Sequence, residues 1–173
     1  MLEKILEIVS LALHSSSDLN NHIGPFFMSS KKDKIRTVPF DQLPTQLQTC
    51  AEKAIDAKKN ALPLYSRFHV GAALQTADGK IYTGGNIECS SYGLTICAER
   101  VAMFKALSEG ERKFVHIFIA TDTDEFCPPC GACRQVLWDF ASELTIYFIN
   151  KKGEIKKEKL SELLPNAFGA ELL

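Results

Sequence analysis

The stretch Phe114-Val115-His116-Ile117-Phe118-Ile119-Ala120 is apolar at nearly every position and rich in β-branched and aromatic residues. A strand with one wet face alternates apolar and polar side chains, so a run apolar on both parities needs cover on both faces. Leu144-Thr145-Ile146-Tyr147-Phe148-Ile149 reads the same way. A helix is expected between them, from about Gly131 to Phe140. Working outward, Thr95 is placed to cap a helix that continues to about Ser108 and closes at Gly110. Phe68 to Thr76 alternates, with Val70, Ala72 and Leu74 on one side, and Asp78-Gly79 is a hairpin turn that returns the chain as a strand over Lys80 to Asn86. Leu43, Leu47, Cys50, Ala51, Ala54 and Ile55 have helical spacing, predicting a helix from about Leu43 to Lys59. Asn150-Lys151-Lys152-Gly153 is a turn, and Ser161 to Leu164 a short last helix. The order predicts an α/β fold, a sheet with helices on its faces.

The chain has 173 residues, enough for one domain with a sizeable core. The compact part is expected to be residues 38–173, and residues 1–37 an N-terminal extension, partly mobile, with Ser15-Ser16-Ser17, Gly24-Pro25 and the cluster Lys31, Lys32, Lys34. Leu2, Ile5, Leu6, Val9 and Leu13 fall on one face of a short helix there, and Met28 is a candidate second start site. Hydrophobic residues make up 46% and charged residues 24%, a soluble globular balance. Twenty Lys+Arg against 21 Asp+Glu leave a net charge of −1, so no pull toward nucleic acid or an anionic membrane is expected. No apolar run approaches the ~20 residues that span a bilayer. Glu7 interrupts the first apolar stretch, which disfavours a secretory leader and makes a cytoplasmic location the expectation. In that compartment the six cysteines stay reduced, and clustered reduced thiols suggest metal or catalysis.

Two segments carry the chemistry: Thr95-Ile96-Cys97-Ala98-Glu99-Arg100 and Pro128-Pro129-Cys130-Gly131-Ala132-Cys133-Arg134-Gln135. Each sits at a predicted helix start. Cys130 and Cys133, three apart, share one face of a first turn. Free N–H groups and the positive dipole end favour thiolates there, the form that binds metal. Cys97 supplies a third thiolate if the two helix starts meet at one sheet edge, as ligands do in such folds. Three thiolates with one open position describe a catalytic zinc site rather than a closed structural one. Glu99 is placed to handle protons on a water. Three thiolates leave a Zn²⁺ site negative, and Arg100 is a candidate to offset this by donating to sulfur. Cys127 makes the string Cys-Pro-Pro-Cys, which a redox pair or a four-sulfur structural site would also use; two prolines argue against both. Cys50 fits the apolar stripe of its helix.

The pattern Cys-x-Glu followed by Pro-Cys-x-x-Cys is that of the zinc deaminases. Together with Tyr65-Ser66-Arg67-Phe68-His69-Val70-Gly71-Ala72-Ala73, Gly85-Asn86-Ile87-Glu88, Ser108-Glu109-Gly110 and Leu164-Pro165-Asn166-Ala167-Phe168-Gly169, it makes the chain resemble the cytidine deaminase family, in its small homotetrameric, three-cysteine form. The resemblance covers about Asp41 to Leu172. It implies a three-layer αβα fold with a mixed, roughly five-stranded sheet, one zinc per subunit on Cys97, Cys130 and Cys133, and Glu99 as proton shuttle. It further implies Phe68 stacking on a pyrimidine, Asn86 and Glu88 on the ribose hydroxyls, and backbone groups near Ala98 and Cys97 at the base edge. Phe168 and Tyr92 would reach across to neighbouring subunits of a homotetramer. The implied reaction is hydrolytic deamination of cytidine and deoxycytidine to uridine and deoxyuridine plus ammonia, in pyrimidine salvage. Cys89 and His69 stand where Asn and Pro are usual, and residues 1–37 have no counterpart. A polynucleotide-editing deaminase shares the chemistry but needs a basic groove, which the charge balance disfavours. The lysine runs at 31–34 and 151–159 read as solvated surface.

Overall fold

The computed structural model describes residues 37–170 and 173. The expected first helix, Met28 and all of the extension except Thr37 lie outside the described residues. Six strands form one sheet: β1 (Thr37–Val38), β2 (Val70–Thr76), β3 (Ile81–Gly85), β4 (Phe114–Thr121), β5 (Thr145–Ile149) and β6 (Ile155–Lys159), in the order β1-β6-β5-β4-β2-β3. Among the described residues four α-helices accompany them: α1 (Thr45–Ala57), α2 (Ala98–Ser108), α3 (Gly131–Ala141) and α4 (Leu160–Leu163). β4 and β5 pair parallel; β2 pairs antiparallel with both β3 and β4, and β6 antiparallel with β5 and β1.

The sheet is covered on both faces, which explains the unbroken apolar runs. On β4, Phe118 and Ala120 face one cluster with Cys50, Ala51 and Ala54 of α1. Ile117 and Ile119 face the other, with Ala98, Ala102, Met103 and Ala106 of α2 and Leu137 of α3. Three layers result, as expected. Phe118 and Tyr147 stack nearly parallel across β4 and β5, ring centroids 4.2 Å apart.

The sheet has one strand more than expected. β6 reads Ile155-Lys-Lys-Glu-Lys, and its charges look like solvated surface. Only Ile155, 1% exposed, is deeply buried there, and the strand exists because its backbone pairs with β5. Thr37 already belongs to the sheet, pairing with Lys156, so the structured part begins no later than that residue. A second difference concerns Thr95. Ile96 makes an antiparallel bridge with Ile87 and must stay extended, so α2 starts only at Ala98, with Cys97 as its N-cap. Thr95 instead closes a short 3₁₀ turn over Tyr92–Leu94, and its hydroxyl accepts the Cys89 N–H at 3.2 Å.

Candidate active site

Strands β3 and β4 run in the same direction, because each is antiparallel to β2 between them. The helices that follow them, α2 and α3, therefore begin at the same sheet edge. Cys97 and Cys130 are the N-caps of these helices, and Cys133 lies in the first turn of α3. The three Sγ atoms all lie within 4.8 Å of one another. Cys97 Sγ is 3.7 Å from Cys130 Sγ, which is 3.5 Å from Cys133 Sγ. Tetrahedral zinc–sulfur bonds of about 2.3 Å place sulfurs about 3.8 Å apart, so this trio has the spacing and donor type for zinc. Cys127 lines the cleft beside the trio but is not among its grouped sulfurs, which disfavours a closed four-sulfur site.

Charge at the trio follows from its neighbours. The neighbouring Cys133 thiol, with help from Arg100 and Cys130, holds the Cys97 thiol well below the usual thiol range. Cys133, beside Cys97 and buried, is pushed up. Arg100 Nη2 lies 3.8 Å from Cys97 Sγ and 3.2 Å from the Thr95 carbonyl oxygen, to both of which it donates. Glu99 is in the first turn of α2 and only 4% exposed. Burial pushes its carboxyl up to about 7, and the charge on Cys97 acts in the same direction. A carboxyl that titrates near neutrality can both take and give a proton.

A cleft of about 470 Å³ opens beside the trio, a size suited to a small organic ligand. Glu99, Cys97 and Cys130 line it together with Phe68, Asn86 and Glu88. Ala98, fully buried, sits between two lining residues. Asn86 is 7% exposed and bridges the start of β2: its Oδ1 accepts the Val70 N–H and its Nδ2 donates to the Phe68 carbonyl, both at 2.8 Å. Hydrogen bonds from the Ser66 hydroxyl and the Ser66 and Tyr65 N–H groups hold the Glu88 carboxyl below the usual carboxylate range. Tyr92 does not line this cleft but the adjoining hollow with Tyr65, against whose ring it packs edge-on at 5.4 Å. Phe168 is 55% exposed and stands outside both hollows, its carbonyl accepting from Gln135 Nε2 at 2.9 Å. Ser66 and Ile119 also line the cleft and were not singled out from sequence. Ser66 has a local signal, a serine two residues before the key phenylalanine, the spacing of a hydroxyl-closed turn. Ile119 has none.

Residues 44–149 match the family model described as the cytidine and deoxycytidylate deaminase zinc-binding region. The chain belongs to this family. A cytidine deaminase of Halalkalibacterium halodurans is 50% identical over 125 residues, which cover 72% of this chain and 95% of that protein. The crystal structure of cytidine deaminase from Burkholderia pseudomallei matches with a TM-score of 0.68 at 42% identity, covering 69% of this chain and 97% of that one. That from Mycobacterium tuberculosis matches at 0.63 and 36% identity, covering 73% and 99%. The matched region is the family's zinc-binding region, the clustered cysteines are suited to that metal, and zinc is the cofactor.

Proposed function

We propose that this deaminase hydrolyses cytidine and deoxycytidine to uridine and deoxyuridine, releasing ammonia, and serves pyrimidine salvage in the cytoplasm. The observation that carries the reading is the buried Glu99 carboxyl beside three clustered sulfurs at the end of a nucleoside-sized cleft.

In this reading Cys97, Cys130 and Cys133 hold one zinc per subunit, whose chemistry is to supply an acidified water as nucleophile. Arg100 draws charge from the Cys97 sulfur, and the two helix N-termini do the same for the trio. Glu99 takes a proton from the attacking water and delivers it to ring N3. The water oxygen bonds to C4; Glu99 then takes the remaining proton of that hydroxyl and passes it to the amino group, so that the C4–N bond breaks, ammonia leaves and C4 keeps a carbonyl oxygen. Phe68 stacks on the pyrimidine face, and backbone groups at Cys97 and Ala98 meet the base edge. Glu88 accepts from one ribose hydroxyl, and Asn86 hydrogen-bonds the sugar beside it. The Ile119 and Val70 walls keep the reacting end dry.

A homotetramer completes the reading: Phe168 and Tyr92, at 55% and 70% exposure, are then covered by neighbouring copies and contribute to their sites. Free nucleosides are favoured over polynucleotides by the chain's net charge of −1. Among the described residues no helix is long and apolar enough to cross a membrane. Ultraviolet monitoring of cytidine loss, with and without a zinc chelator, tests the reaction. An oligonucleotide bearing cytosine in place of the nucleoside tests the substrate class, and solution mass tests the tetramer. Turnover of cytidine that stops on chelation is the expected result; an inert protein with a full zinc complement overturns the reading.

A further inference from the structure

The loop entering β2 is organised around one hydroxyl. Ser66 Oγ donates to Glu88 Oε1, and the same oxygen accepts the Phe68 N–H at 3.0 Å. Glu88 Oε2 accepts the N–H groups of Tyr65 at 2.7 Å and Ser66 at 3.0 Å. Arg67, between Ser66 and Phe68, has a φ of 58°, a left-handed conformation that L residues seldom hold unaided. Phe68 is thus gripped on both sides, its N–H by Ser66 and its carbonyl by Asn86.

We propose that Ser66 is a positioning residue for nucleoside recognition: its hydroxyl ties the carboxylate that reads the sugar to the backbone of the ring that holds the base. The inference rests on the nucleoside reading above. An ionised carboxylate has about four acceptor sites, and three are taken by this loop. One remains for a ribose hydroxyl, aimed by the other three. The single proton of Ser66 goes to Glu88, so the residue has no donor left for substrate and acts through its two partners. Without the hydroxyl, Glu88 loses one of the three donors that orient it and Phe68 loses its N–H acceptor. The consequence falls on substrate binding and leaves the proton transfers at Glu99 untouched.

The test compares the full-length zinc-loaded enzyme with Ser66→Ala, Ser66→Thr, Glu88→Gln and the double variant Ser66→Ala/Glu88→Gln, using cytidine. Ser66 is exposed and belongs to neither buried cluster, so the substitutions leave the core intact. The KM of Ser66→Ala is expected to rise about ten-fold with kcat within about three-fold, the loss of one charge-assisted hydrogen bond felt in binding. Ser66→Thr keeps the hydroxyl and returns KM to within about two-fold of wild type. In the Glu88→Gln background, Ser66→Ala costs less than it does in the wild type, because the orientation of the carboxylate is already lost and the hold on the Phe68 N–H is what remains to lose. The same KM penalty with and without the Glu88 carboxylate, a fall in kcat alone, or no change at all each overturns the proposal. A wild-type enzyme inactive on cytidine would instead overturn the reading on which it rests.

Discussion

A Cβ placed on Gly84 would lie 2.4 Å from the carbonyl oxygen of Ala98 and 2.7 Å from the Ala102 nitrogen. Strand β3 and the first turns of α2 therefore touch backbone to backbone, and that turn carries Cys97 and Glu99. Any side chain at position 84 must push the helix start away from the sheet, and with it one sulfur away from the other two.

Gly71 offers a matched comparison. A Cβ there would lie 2.2 Å from the Ala54 carbonyl oxygen, on α1 and on the opposite face of the sheet. Gly84→Ala and Gly71→Ala are both expected to destabilise the fold, by about 1–3 kcal/mol each or more, since backbone cannot yield as a side chain can. Only Gly84→Ala should also weaken zinc retention. Zinc per chain after dialysis against a mild chelator separates them; equal retention by the two variants would show that the depth of α2 does not set the sulfur trio.

Glu99→Gln keeps the volume of the buried carboxyl and removes its ability to accept a proton. Turnover of cytidine is expected to fall by at least about 10²–10⁴-fold, because the same group serves several proton transfers. Zinc content should stay at the wild-type level, since Glu99 is not one of the grouped ligand atoms. Activity near that of wild type would remove Glu99 from its assigned role.

Arg100 is expected to support the metal rather than the substrate. Its guanidinium donates to Cys97 Sγ and to the Thr95 carbonyl. Arg100→Met keeps the stem and deletes both donors, and zinc affinity should drop about 10–100-fold, the usual cost of losing a partner behind a ligand. Competition with a fluorescent zinc chelator measures it; unchanged affinity would reduce Arg100 to a packing role.

Acid should weaken the fold through His116. Burial lowers its pKa, and Lys159 and Lys157 of β6 act in the same direction. It stands on β4 opposite Gln75 and Thr145, edge-on to Tyr147 at 5.7 Å, and its Nδ1 has no hydrogen-bond partner among the described residues. The unfolded chain binds a proton at His116 more readily than the folded one, so stability rises with pH across this window. The contribution is complete above the unfolded value of about 6.5 and is lost as the pH falls from there toward the lower folded value. Between pH 7.5 and 5.5 the urea midpoint of the wild type is expected to fall relative to that of His116→Gln; the raised Glu99 carboxyl acts in the opposite direction in both proteins and cancels in the comparison. Parallel losses in the two proteins would assign the acid sensitivity elsewhere.

Much of the site could be read in the chain. Cys130 and Cys133 share a helical turn because three residues bring the chain nearly once around a helix, a relation that needs no tertiary contact. The apolar runs at Phe114 and Leu144 announced a sheet covered on both faces, since alternation is absent where no face meets water. Strand β6 escaped for the converse reason. Lys156, Lys157, Glu158 and Lys159 bear no apolar pattern, and backbone pairing with β5 holds them in the sheet. Thr95 looked like a cap, but the Ile87–Ile96 bridge keeps the chain extended past it and hands the capping position to Cys97.

Residue types and local spacings are legible along the chain: a thiolate pair on one turn, a third cysteine two residues before a glutamate, and strands that demand two covers. That these belong to one site follows from how the sheet is assembled. The direction of β3 and β4 follows from β2 lying between them, and that common direction sets two helix starts at one edge. Likewise the grip of Ser66 on Glu88, 22 residues away, depends on the chain entering β2 meeting the chain leaving β3. Local propensity acts over a few residues, whereas such meetings are settled by backbone pairing and burial across the whole sheet.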